Sequence, residues 1–342
     1  MKNLCSLIII VLLFITSCDN SSDEPGTFPA GKGLFILNEG NFMAGNGSVS
    51  FYSEETCSIY NNLFSAVNNR ALGDVPTFMA ADGERGFIIV NNSGTIEIVD
   101  LRSMESIKTL TGLISPRQMV IYDGKGYISS LTSCKITVID INDAEMTESI
   151  DIGCSSEAMT VSGGKLFVAN WSGGNSIVVI DMMTDEVTTS VTTGLEPESM
   201  VVDKNGMLWV LCTGGYMNEE VPRLMKISTT SLEVESEMLF RTVTDNPSSL
   251  SINKTGDTLY YIDEGIRRMP VTSLSLPAET FVDAGGRLFY RLSASGMTGK
   301  ICVTDAIDYQ QKGDLLIYNS RGELTDTEQA GIIPGYMFFT QE

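Results

Sequence analysis

Histidine is missing altogether from the 342 residues. That one absence removes Ser-His and Cys-His nucleophile pairs, imidazole metal ligands and the commonest general base. Basic residues are scarce: 22 Lys and Arg stand against 43 Asp and Glu, a formal net charge of -21. A surface of that sign argues against nucleic acid or anionic lipid as a partner. Cysteine is thin as well, 7 in all, with no CxxC pair and hence no zinc spacing. After the first 17 residues no long apolar run occurs, so the folded part is expected to be soluble.

The single apolar run, Leu7 to Ile15 within MKNLCSLIIIVLLFITSC, is shorter than the roughly 20 residues that a bilayer requires. It has the shape of a secretory signal. Ile15, Thr16 and Ser17 ahead of Cys18 resemble the bacterial lipobox, which implies cleavage before Cys18 and lipidation of its thiol and new amine. Residues 1–17 are thus read as signal, 18–31 as lipidated Cys and flexible leash, and 32–342 as folded body. Several acyl chains, at about 0.8 kcal/mol per buried methylene, anchor a protein where one chain would not. The leash DNSSDEPGTFPAGKG is polar, acidic and too poor in apolar residues to fold. Its acidic start resembles the export tag of surface lipoproteins in Bacteroides-type bacteria. Of the remaining Cys57, Cys134, Cys154, Cys212 and Cys302, buried thiols in strands are expected, with a Cys134–Cys154 pair as the alternative.

What the chain has in abundance is repetition. ERGFIIVNNSGTIEIVDLRSM, GKGYISSLTSCKITVIDINDA and GKLFVANWSGGNSIVVIDMMT share one shape: an apolar run, a polar tip, an alternating apolar run and a polar turn. Each is the pattern of a β-hairpin. The second runs, VSFYS, IEIVD, ITVID, IVVID, LMKIS, IRRMP and LLIYN, end at Ser53, Asp100, Asp140, Asp181, Ser228, Pro270 and Asn319. Seven units at intervals of 40 to 49 residues, with several strands each and no helical pattern, predict an all-β fold, a seven-bladed β-propeller.

One column of the first runs holds Phe35, Phe87, Tyr127, Phe167, Trp209, Tyr260 and Cys302. Large rings at one repeat position are expected to fill the gap between neighbouring blades, so Trp209 is read as structural. A second column precedes the units: Pro76 with Met79, Pro116 with Met119, Ser156 with Met159, Pro197 with Met200, Pro247 with Leu250. Proline suits the turn before a strand, and pliable Met is expected to pack around a central channel as core, not as a cofactor box. The first unit, GLFILNEG, lacks this prelude, whereas Pro334, Gly335, Tyr336 and Met337 supply one at the far end. The inner strand of blade one is therefore expected to be Tyr336 to Thr340, closing the ring and removing two sheet edges. No prelude stands out for blade seven.

The words that change lie at the tips: NEGNFMAGN, NNS, LTS, NWSGGN, TGGYMNEEVP, DEG and DAIDYQQ. In a propeller these tips, with the turns leading into the inner strands, gather on one face. The candidate ligand-binding residues on that face are Asn41, Phe42, Asn92, Arg117, Gln118, Trp171, Glu198, Tyr216, Asp263 and Tyr309. Trp171 stands in a column otherwise held by Glu39, Asn91, Leu131, Thr213, Glu264 and Ala306, and packing gives it no evident reason. It reads as a binding anchor, with an adventitious surface ring as the alternative.

With these units in view, the chain resembles the YncE-like, surface-layer-type propellers from Gly33 to Phe339. Within them it is similar to the BtuG-type surface lipoproteins of Bacteroides-type bacteria, the GLFILNEGNF opening and the late PGYMFF closure included. The resemblance implies capture of a corrinoid, cobalamin, as transported ligand and its transfer to a TonB-dependent outer-membrane transporter. It also implies an outer-membrane location through the lipid anchor alone, no cofactor and no catalysis. A disc edged with amides suits a bowl of Asn, Gln, Asp and Tyr tips. Two other classes stay open. A metal-dependent propeller enzyme would use Asp263, Asp305, Asn38 and Asn170 as oxygen ligands for calcium. A structural or adhesive propeller would hold a protein or glycan through the same face, and the long TGGYMNEEVP tip fits a protein contact as well as a ligand contact.

Overall fold

The computed structural model describes Phe28, residues 31–294 and residues 299–340. The signal sequence, Cys18 and most of the leash lie outside the described residues. The alternating runs form seven four-stranded antiparallel sheets arranged in a ring, a seven-bladed propeller. Strand ends are set by local chemistry that the repeat carries. Asp140 Oδ1 accepts the N–H groups of Asn142 (2.7 Å) and Asp143 (2.9 Å), and Asp100 and Asp181 do the same two and three residues on. Ser53 and Ser228 cap the equivalent turns through Oγ, and Asn319 through Oδ1. The last letter of each repeat is therefore a turn-former that throws the chain into the outer strand.

Between blades lie seven separate apolar clusters, each containing a column aromatic or its substitute from one blade and a prelude residue from the next. Phe35 joins Met79, Phe87 joins Met119, Tyr127 joins Met159, and Phe167 joins Met200. Trp209 joins Leu250, Tyr260 joins Leu292, and Cys302 joins Met337. The prelude methionines thus pack between blades, and Met159, Met200 and Met337 also line the central cavity, as expected; in blades two, three and five the register shifts just after the proline. Gly126 explains part of the fit: a Cβ there would lie 2.4 Å from Met119 Cε.

Closure runs as the sequence implies, with a shifted boundary. Strand Pro334–Phe339 pairs with Gly33–Asn38 in the register Leu34↔Phe339, Phe35↔Phe338, Ile36↔Met337 and Asn38↔Pro334. Thr340 follows it, its Oγ1 accepting the Gly33 N–H at 3.0 Å. In blade seven the inner strand is Phe289–Ser293, where Phe289 faces Asp305 in the place of the proline and Leu292 takes the place of the methionine.

Three expectations need correction. One helix, Leu63–Asn68, follows the three-residue outer strand Ser58–Tyr60 of blade one and buries Leu63 and Phe64 between blades one and two. Phe28, within the segment read as flexible leash, is buried, its ring 5.8 Å from Phe35 and 5.2 Å from Phe51. Of the five described cysteines, Cys212 and Cys302 are buried strand thiols, Cys57 and Cys134 sit exposed in turns, Cys154 is half-buried, and no disulfide forms among the described residues. No helix among the described residues is long and apolar enough to cross a membrane.

Candidate functional site

In blades one, two, three, five and seven the tip and the turn into the inner strand are clamped together by a backbone bond. Asn91 N–H donates to Val75 O (2.8 Å), Leu131 to Ser115 (3.0 Å), Thr213 to Glu196 (3.1 Å) and Glu39 to Ile333 (2.9 Å). These clamps draw the variable tips to one face, where a cavity of ≈ 1040 Å³ runs from the tips down the inner strands. Its wall mixes carboxylates and guanidiniums with serines and aromatic rings.

Charged side chains cross the cavity floor. Arg117 in blade three grips Glu157 in blade four through two bonds of 2.7 Å. Arg291 in blade seven reaches past blade six to Glu198 in blade five at 2.9 Å, while Ser249 N–H of blade six donates to the other oxygen of Glu198 at 3.0 Å. Tyr290 Oη donates to Glu39 at 2.8 Å. Burial works against the charge on Arg117, but the charge and hydrogen bonds of Glu157 outweigh it and hold the guanidinium above its usual value. Arg291 is raised in the same way, burial being overcome by Tyr290, Glu198, Glu39 and Glu157. Burial also pushes the Tyr290 hydroxyl up. The floor is thus a fixed set of charges and donors, suited to holding polar groups in place.

A second feature lies where blades four and five meet. Blade four has Ser156 where its neighbours have proline, and its inner strand is only Met159–Ser162. Beside it, Glu196 is wedged between two tips: its N–H donates to Gly174 O (2.7 Å), and its carboxylate accepts from Gly173 N–H (3.2 Å) and Thr213 Oγ1 (3.5 Å). Trp171, Gly215, Tyr216 and Asn218 line the cavity around it. The indole Nε1–H of Trp171 is buried with no acceptor among the described residues, which costs about 1–3 kcal/mol. Tyr216 is 88% exposed. Sequence reading missed Glu196, whose position depends on two tips meeting and on no local pattern.

The ten candidate residues divide evenly. Arg117, Gln118, Trp171, Glu198 and Tyr216 line the cavity. The others stand outside its wall. Asn41 Nδ2 donates to Tyr309 O at 3.0 Å and ties the tips of blades one and seven, and Phe42 projects 69% exposed. Asn92 bonds Asp74. Asp263 is buried against Arg267 Nε at 3.2 Å, and burial raises its pKa. Tyr309 lies edge-on to Tyr290, centroids 5.7 Å apart. The ring proposed for calcium is likewise dispersed. Asn38 bonds Ser50 Oγ (2.8 Å) and Gly331 N–H (2.9 Å), and Asp305 accepts Leu288 and Ile307 N–H at 3.1 and 2.9 Å, each serving its own part of the ring. Among the described residues no three His, Cys, Asp or Glu side chains are grouped to hold a metal.

Solved structures share this architecture. A quinoprotein alcohol dehydrogenase-like protein of Bacteroides thetaiotaomicron aligns with a TM-score of 0.70 at 15% identity, over 91% of this chain and 78% of that one. A functionally unknown protein of Desulfotomaculum acetoxidans gives 0.66 at 13%, over 90% and 99%. BamB of Moraxella catarrhalis gives 0.56 at 16%, over 88% and 84%. At such identities the likeness is one of fold. No protein of curated function matches the chain in sequence. The family model described as "Domain of unknown function (DUF5074)" matches residues 32–295, well over half of the sequence, and the chain belongs to that family.

Proposed function

We propose that the chain is a lipid-anchored outer-membrane protein that captures a corrinoid in the tip-side cavity and passes it to a TonB-dependent transporter, without catalysis. The observation that carries this reading is the cavity itself: ≈ 1040 Å³, lined by guanidiniums, carboxylates and hydroxyls beside Trp171 and Tyr216. Such a wall offers hydrogen bonds to an amide-edged disc and apolar contact to its face. No histidine exists to displace a lower axial ligand, so cobalt would keep its own. Titration with cyanocobalamin, followed by visible absorbance and tryptophan fluorescence, tests the reading. Binding with the cobalt spectrum unchanged is expected, and Trp171→Ala should weaken it by roughly 30-fold, the worth of about 2 kcal/mol for a buried aromatic anchor. No binding at micromolar protein overturns it.

A second reading has its own support. Phe42 (69%), Met43 (79%), Tyr216 (88%) and Met217 (72%) are all exposed on the longest tips of the same face. Exposed apolar side chains of that kind suit a protein partner. The low-identity likeness to BamB and to a dehydrogenase-like protein adds nothing to either reading beyond the fold.

A further inference from the structure

We infer that the corner between blades four and five reads a primary carboxamide, with Glu196 as acceptor and the Trp171 indole N–H as donor. The inference rests on the reading of the cavity as a ligand site and names the group that one part of it takes.

Three observations meet at this corner. Glu196 accepts one backbone N–H at 3.2 Å and one long hydroxyl bond at 3.5 Å, and no Lys or Arg pairs with it among the described ion pairs. A carboxylate oxygen offers about two acceptor sites, so capacity for a further donor is left. Trp171 Nε1–H is a donor only, and it is buried with no acceptor among the described residues. Both side chains line the cavity, as do Thr213 and Tyr216, and the Trp171 loop is bonded to Glu196 through Gly173 and Gly174.

An unspent acceptor beside an unspent donor selects the ligand. An ammonium group has no acceptor for the indole, and a carboxylate has no donor for Glu196 and is repelled by its charge. A hydroxyl can donate to Glu196 and accept from the indole, but only where both reach its single oxygen. A primary carboxamide carries N–H donors and a carbonyl acceptor on one planar head and serves both. Because Nε1 is covered, the indole must turn toward the ligand as it binds, which exchanges an unsatisfied donor for a bonded one. The exposed Tyr216 ring supplies a neighbouring apolar surface.

The two tryptophans of the chain make this testable on the intact folded protein. Trp209 is buried with its Nε1 bonded to Asp203 at 3.0 Å, so the two indole N–H signals in a ¹⁵N–¹H spectrum separate and Trp171→Phe assigns them. Benzamide is expected to move the Trp171 signal downfield and benzoate to leave it in place. In the second arm, cyanocobalamin is compared with its monocarboxylic acid derivatives. The amide form should bind roughly 10-fold or more tighter, and Glu196→Gln should narrow that ratio to about 2-fold or less. A Trp171 signal indifferent to benzamide, or an amide-to-acid ratio unchanged in Glu196→Gln, overturns the inference. If no corrinoid binds yet benzamide shifts Trp171, the corrinoid reading fails and the carboxamide corner stands. If corrinoids bind while both corner tests are negative, the corner falls alone.

Discussion

The two tryptophans separate function from stability at the level of single side chains. Trp209 is fully buried in the cluster between blades five and six, so Trp209→Ala should cost roughly 3–5 kcal/mol and leave Asp203 Oδ2 without the indole donor. Trp171→Ala should melt close to wild type, and paired urea titrations would show the contrast. A third residue ties stability to pH. Asp185 accepts from Tyr127 Oη at 2.6 Å and from Lys125, and although burial works to raise its pKa, those two partners hold it below the usual 3.8. A depressed carboxylate stabilises the fold above its unfolded pKa, and that stability is lost as pH falls through the folded value. Asp185→Asn should therefore be destabilised at neutral pH, with the gap to wild type closing only below about pH 4. Acid titration of both proteins by circular dichroism would reveal the convergence. Of these residues, Trp209 was legible from its column. Trp171 stood out because it broke one. Asp185 and Glu196 were not legible, since their partners Lys125 and Gly173 come from another turn or another tip.

At the scale of strands and turns, repetition made the architecture readable and its exceptions hid. The turn-forming letter at Asp100, Asp140 and Asp181 and the proline prelude each mark a place where backbone geometry leaves little choice. Blade seven escaped because Phe289 and Leu292 do the same packing job with different residues, and helix Leu63–Asn68 escaped because six residues carry too short a period to register. The closing strand Pro334–Phe339 joins two blades at once, so truncation before Tyr336 should expose edges in blade one, lower the melting temperature sharply and promote aggregation. Light scattering during a thermal scan would detect it, and an unchanged melt would refute the role of the strand. Burial pushes the thiols of Cys212 and Cys302 up to about 12. In the native state both should resist alkylation at pH 8 while Cys57 and Cys134 react, as intact-mass counting of added groups would show.

For the whole molecule, strand direction fixes which way the cavity faces. Strand Gly33–Asn38 runs toward the mouth, so Phe28 and Gly33 sit at the opposite side of the ring, beside Thr340. If Cys18 is lipidated as proposed, roughly ten residues at about 3.5 Å each hold the ring within about 35 Å of the membrane, mouth outward. Cys18→Ala should then release a folded propeller into the soluble fraction, and its persistence in membranes would refute the anchor. The closure has a further consequence in time. Gly33 and Thr340 meet across 307 positions, so blade one waits for a strand made some six blades later. Until residues 334–339 arrive, blade one has no inner strand and the ring stays open while the intervening blades are made. Ring closure, being the longest-range contact, should be the slowest step of refolding. In pulsed hydrogen exchange the amides linking Gly33–Asn38 to Pro334–Phe339 should gain protection last.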